Sequence, residues 1–161
     1  MTGSAKNRIY IATIAVLSLV IAAMVYKFIV AGSTRMSEDG RVAIILESSE
    51  RALMLTEMRE FVAGVQRISD ALSRDDMPGV SRAARAVGSE KAHDVPVAML
   101  GKLPLEFKTL AFGTHRGFDS IAADAEANGT PRHTLVQLSD VLQKCVACHA
   151  RYQIKDSGSK K

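Results

Sequence analysis

The first 35 residues contain no aspartate or glutamate, tryptophan is absent throughout, and cysteine occurs at two positions three residues apart. Each scarcity closes off a class of protein. With 161 residues the chain has room for one ordinary domain and a remainder, which excludes a barrel enzyme or a two-domain dinucleotide enzyme. Basic residues outnumber acidic ones 21 to 17, but Lys6, Arg8, Lys27 and Arg35 lie in the acid-free segment and residues 36–161 hold 17 of each sign. The formal net charge of +4 is therefore a property of the N-terminal segment. A nucleic-acid-binding domain needs its positive surplus on the folded part, so nucleic acid is not an expected partner. A structural zinc site needs four ligands, and beyond the two cysteines no closely spaced second histidine completes one.

What is present begins with Ile9–Tyr26, an uncharged run of 18 residues followed, after Lys27, by Phe28-Ile29-Val30. About 20 apolar residues in a helix cross a ~30 Å hydrocarbon core. Lys6, Arg8 and the amino terminus precede the run, and the positive-inside rule sends residues 36–161 out of the cytoplasm. The competing reading is a signal segment with a small-residue site at Val30-Ala31-Gly32 or Ala31-Gly32-Ser33, but the apolar run exceeds the roughly 7–15 residues usual there. The expected organisation is an anchor over residues 1–30, a linker over 31–47, a helical domain over 48–155 and a polar tail over 156–161. Within the linker, Gly32–Gly40 reads as a polar tether. Val42–Leu46 is too short and too uniformly apolar to type by periodicity, and reads either as a short extended segment or as a pre-helix packed on the domain.

From Ser49 onward the pattern is helical, with Ser48 or Ser49 as the expected N-cap. Met54, Met58, Phe61, Val65, Ile68 and Leu72 form one inward seam at intervals of three and four residues. Asp75-Asp76-Met77-Pro78 stops that helix and starts a second, to Gly88. A connection containing Pro96 leads to a third helix from Pro104 to Ala127, with Phe107, Thr114, Phe118, Ile121 and Ala125 inward and Asn128-Gly129 as its stop. Thr130-Pro131 starts a fourth, whose expected inward positions are Leu135, Leu138, Val141/Leu142, Cys145, Cys148/His149 and Tyr152. With no convincing strand pattern, the fold class expected is all-α: an antiparallel four-helix bundle behind a transmembrane helix.

Both cysteines lie in Cys145-Val146-Ala147-Cys148-His149. On a helix, cysteines at i and i+3 share a face, so both sulfurs can add to the vinyl groups of one haem and the adjacent His149 becomes an axial ligand. The same C-x-x-C could form a disulfide or a redox dithiol, although such motifs usually accompany a βαβ pattern.

Four helices with C-x-x-C-H near the end of the last resemble the cytochrome c′ family and the b-type four-helix cytochrome that shares its fold. The resemblance spans about Ser49 to Ile154, and its specific part is Cys145–Tyr152, with an aromatic three residues after the histidine. Where family members often carry a basic residue after that aromatic, this chain has Gln153. The resemblance implies one covalent haem c, attached through Cys145 and Cys148 with His149 as the proximal ligand. It implies a redox partner protein and leaves a homodimer open. Some members keep an apolar distal side open to NO or CO; others close it with a methionine and only carry electrons, a His/Met pair raising the potential. The six-coordinate members look like a methionine followed by apolar residues three, seven and ten positions on. Met58, Phe61, Val65 and Ile68 match, and Met54, one turn earlier, is the substitute. His115 is a weaker candidate for a ligand or a haem-edge hydrogen bond, and His93 and His133 read as surface residues. Arg51, Arg59, Lys144 and Arg151 are candidate neighbours of the propionates. The expected function is thus a membrane-anchored periplasmic electron carrier, not an enzyme, located in a bacterial inner membrane. The alternatives are a five-coordinate gas-binding protein with Met54, Leu55 and Phe61 around its distal side, and a structural bundle with a simple disulfide.

Overall fold

The computed structural model describes residues 2–127 and 129–158, the side chains of residues 2–5, 93 and 94 excepted. It is mostly helical, with one apolar N-terminal helix and a small sheet. Helix α1 (Thr2–Val25) continues through a wide helical turn, Tyr26–Ala31. Over Lys6–Ala31 the mean hydropathy reaches 2.4 and none of the span is buried against the rest of the protein. That length and composition suit a membrane anchor or a signal sequence. In the final turn, Lys27 Nζ donates to the Gly32 carbonyl at 2.8 Å, a cation placed on the negative end of the helix dipole.

Beyond α1 the chain does not run free. The Ser33 N–H donates to the Lys102 carbonyl at 2.7 Å, and Gly32, at φ 65°, lies so close that a β-carbon there would meet the Lys102 oxygen at 2.4 Å. Only glycine tolerates both the left-handed backbone and that approach. Within the segment expected to be a polar tether, β1 (Thr34–Met36) pairs antiparallel with β2 (Val42–Leu46), and β2 pairs parallel with β3 (Tyr152–Asp156). The all-α expectation is therefore corrected by a small sheet, and of the two readings of Val42–Leu46 the extended one holds. Ala43, Ile44 and Leu46 are fully buried while Val42 and Ile45 are only partly so, and a strand covered on both faces carries no alternation to announce it.

Helix α2 (Ser48–Leu72) follows directly. Its N-cap is Glu47, not Ser48 or Ser49, because β2 delivers the chain already extended to Glu47, whose N–H donates to the Glu50 carboxylate at 2.8 Å. Ser48 Oγ is engaged elsewhere, donating to Asp156 of β3 at 2.7 Å. Asp76 caps α3 (Met77–Arg85) by accepting the Gly79 N–H. A 3-10 turn, Ser89–Asp94, and the short α4 (Val97–Leu100) fill the connection to α5 (Leu105–Glu126). Asn128 of the expected stop lies outside the described residues. Thr130 caps α6 (Pro131–Arg151), which ends one residue before β3, so Tyr152 begins a strand and not a helical turn.

Helix α2 packs on α3, α3 on α5 and α5 on α6. One core, around Ile68, Val80, Phe118, Ile121, Leu138 and Val141, fills the end away from the sheet. A second, around Ile44, Leu46, Met54, Met99, Phe107 and Tyr152, fills the sheet end. On α6, Leu138, Val141, Cys145 and Cys148 take their expected inward places, but in the first turn Thr134 is buried and Leu135 is 55% exposed. Val141 seats against Gly117 of α5, where a β-carbon would stand 2.6 Å from it.

Truncating the fully buried Phe118 to alanine removes the largest buried side chain at the centre of the first core. A loss of about 3–5 kcal/mol is expected, measured as the shift in urea unfolding followed by far-UV circular dichroism.

Candidate functional site

The helices leave a gap on one side, where α2 and α6 scarcely meet. The gap is a cleft of ≈ 260 Å³, just below the about 300–1,000 Å³ of small-molecule and cofactor sites. Met54, Met58, Phe61 and Val65 of α2 form one wall. Phe107, Ala111, Thr114 and Phe118 of α5 form the floor, and Leu142, Lys144, Cys145, Cys148 and His149 of α6 the other wall.

Cys145, Cys148, His149, Met58 and Met54 thus line one cleft, and His115 does not. Cys145 and Cys148 are half-buried free thiols on the cleft side of α6, and His149 is exposed at its edge. Across from them the two methionines differ. Met54 is 3% exposed and packs into the core with Ile44, Leu46 and Tyr152, whereas Met58 is half-buried with its side chain on the cleft. Of the four basic candidates, Lys144 lines the cleft; Arg151 pairs with Glu106 at 2.8 Å and Arg59 donates to Thr56 at 2.8 Å.

The thiols are not primed as nucleophiles. Burial pushes the Cys145 pKa up, and burial together with the neighbouring Cys145 pushes Cys148 to about 11. Redox dithiols lie where a helix N-terminus or a cation lowers the pKa; this pair lies in the last turns of α6, at the opposite end of the dipole. The arrangement therefore weighs against a dithiol oxidoreductase. What it offers is two sulfurs on one face, an imidazole beside them and a thioether opposite, in an apolar recess.

His115 is placed differently from a ligand. It is 3% exposed, its Nδ1 stands 3.0 Å from both the Val87 and the Gly88 carbonyl oxygens, and its Nε2 stands 3.0 Å from Glu57 Oε1. Both ring nitrogens are thus committed, and Phe61 covers the ring at a centroid distance of 4.9 Å. Burial alone would lower its pKa, but the Glu57 carboxylate and the two carbonyls outweigh burial and hold it above the ordinary 6.5. Glu57 also lines the cleft, so this pair ties the α2 wall to α5 and to the α3 exit. Sequence reading identified His115 but not its partner: Glu57 is 58 residues away and on α2 resembles any solvated glutamate. His133, at the start of α6, is exposed and 3.2 Å from Asp124; the side chain of His93 lies outside the described residues.

No protein-family model, curated protein or solved structure matches this chain.

In the thiol form of the chain, Cys148 is expected to react with iodoacetamide near pH 8 about 100-fold more slowly than in urea-unfolded protein, the thiolate fraction lost from a pKa of 9.0 to about 11. Peptide mass spectrometry of the timed alkylation measures the ratio. The His115–Glu57 pair predicts a pH effect of known sign. Because the folded pKa of His115 lies above 6.5, its stabilisation is complete below pH 6.5 and is lost as pH rises through the folded value. Urea midpoints measured upward from pH 6 should fall in the wild type relative to His115→Gln, which removes the titration.

Proposed function

We propose that this chain is a membrane-anchored, periplasm-facing c-type cytochrome that carries one electron at a single haem in the α2–α5–α6 cleft. Cys145 and Cys148 would hold the haem by thioether bonds, His149 would be the proximal ligand and Met58 the distal one. The observation that carries this reading is the convergence of both cysteines, His149 and Met58 on one apolar cleft. The residues present fit the group: two adjacent thiols on one wall, and nitrogen and thioether donors of the kind haem iron takes as axial ligands. When bound, the haem supplies one-electron iron chemistry that no side chain here can supply.

The chain's own contribution is to position and exclude. α6 presents Cys145 and Cys148 one turn apart on the face towards the cleft, and β3 fixes the end of that helix. Phe107 and Phe118 close the floor against water, and a low-dielectric recess combined with a His/Met pair raises a reduction potential. Met58 is preferred over Met54 because Met54 is buried among core side chains. Lys144, on the rim, is the cation best placed for a propionate. No substrate-transforming group is required, so the activity is electron transfer and not catalysis.

The packing of α2, α3, α5 and α6 supports a four-helix bundle in which neighbouring helices run antiparallel. The length of the apolar helix and its clamp to the domain at Ser33 and Lys102 support a retained anchor over a cleaved signal segment. With positive residues at its N-terminal end, that anchor would leave the domain on the periplasmic side of a bacterial inner membrane. A redox partner protein follows from the function.

Absorption spectra of the purified protein, matured with a haem c attachment system, test the proposal. A low-spin haem c spectrum in both oxidation states is expected. Met58→Ala should turn the ferric form high-spin and open the ferrous form to CO, while Met54→Ala should leave the spectrum low-spin. A high-spin wild type that takes up NO or CO at once would replace the electron carrier with a five-coordinate gas-binding protein, and absence of any haem c signature would leave neither.

A further inference from the structure

A second cavity, ≈ 570 Å³, lies where the apolar helix meets the domain. One side is the end of the helix, Tyr26, Val30 and Ala31; the other is the start of α5 and the α6–β3 junction, with Leu105, Arg151 and Tyr152. Lys108 Nζ holds the two sides together by donating to the Ile29 carbonyl at 3.0 Å. On the reading of this helix as a retained anchor, the cavity opens at the boundary between hydrocarbon and water, so a ligand would enter it from the lipid phase.

The polar groups of the cavity are few and mutually neutralised. Tyr152 Oη donates to Glu106 at 2.9 Å, and Arg151 Nε stands 2.8 Å from the same carboxylate. An anionic headgroup would meet the Glu106 carboxylate beside the one guanidinium, and that like-charge repulsion disfavours a phosphate. A neutral planar head that accepts a hydrogen bond from the Arg151 guanidinium and trails an apolar tail along Val30 meets no such repulsion.

The cavity is also joined to the cleft. The Tyr152 ring, on the cavity side, packs edge-on against Phe107 at a centroid distance of 5.5 Å, and Phe107 lines the cleft. This pair of touching rings thus reaches from one space to the other.

We propose that this interfacial cavity binds the head group of a lipid-soluble quinone, the class of redox partner that a cleft-bound carrier at the membrane surface can meet. The site would position the head beside the Tyr152–Phe107 pair with its tail in the bilayer. The inference rests on the function proposed above, and the test separates the two.

The full haem-loaded chain in phospholipid nanodiscs, with an intact mass that establishes retention of residues 1–31, is irradiated with an azido-ubiquinone carrying a short tail. Peptide mapping is expected to find labelling on Tyr26–Ala31 and Leu105–Thr109, competed by decylubiquinone. Thr109→Trp and, independently, Thr34→Trp on the opposite rim should each cut that labelling about tenfold, the loss of about 1.4 kcal/mol of binding, with the haem spectrum unchanged. Labelling spread along Ile9–Val25, or undiminished in both variants, would overturn the quinone site while leaving the electron carrier in place. Competition by phospholipid at the same peptides, but not by decylubiquinone, would overturn it in favour of a structural lipid. An intact mass lacking the anchor would remove the membrane premise itself.

Discussion

The parallel pairing of β2 with β3 is the constraint on which the rest of the structure depends. It joins Val42 to Tyr152 and Leu46 to Asp156, residues from opposite ends of the domain. The ladder is parallel, so α6 enters it at the Val42/Tyr152 end and α2 leaves it at the Leu46/Asp156 end, and α2 returns past the sheet with Met54 packed in one core with Tyr152 and Cys148. Met54 and Met58 therefore stand opposite Cys148 and His149 without α2 and α6 having to pack on each other. Hydrophobic burial by α3 and α5 holds the other ends together, and the space left between α2 and α6 is the cleft.

The electrostatics of the cleft follow from its position. The C-x-x-C-H segment lies at the negative end of α6 in an apolar recess, where a thiolate is disfavoured and neutral sulfur is favoured. Such sulfurs suit a covalent, uncharged link better than a reactive dithiol. The buried His115–Glu57 pair places one charged network behind the α2 wall, so that wall is fixed by a hydrogen-bonded tie as well as by packing. At the sheet end, the clamp of Gly32 and Ser33 on Lys102 gives the domain a defined seat against the apolar helix, where a free tether would leave it to swing.

Much of this was legible in the residues. The apolar run of α1 shows itself by length, the seam from Met54 to Leu72 by its period, and α3 and α6 by Asp76 and Thr130 before a proline. The sheet was not legible, because β2 is uniformly apolar and β3, Tyr152-Gln153-Ile154-Lys155-Asp156, reads as a polar continuation of a helix end. Neither strand is stable alone, and each exists because the other is brought to it. The first position of the α6 face was not legible either: Leu135 is the more hydrophobic residue, but Thr134 is the one buried.

By itself the sequence determined the apolar helix and its charge-biased flanks, the amphipathic faces and stops of the long helices, and the spacing that puts two sulfurs and an imidazole on one turn. Local propensity and periodicity are properties of neighbouring residues, so they can be read along a string. Tertiary structure alone decided that Met54 is buried while Met58 is only half-buried, which glutamate answers His115, and that a second cavity lies against the apolar helix. Those outcomes depend on contacts between residues some 50 to 110 positions apart, whose register is set by closure of the whole fold and not by any segment within it.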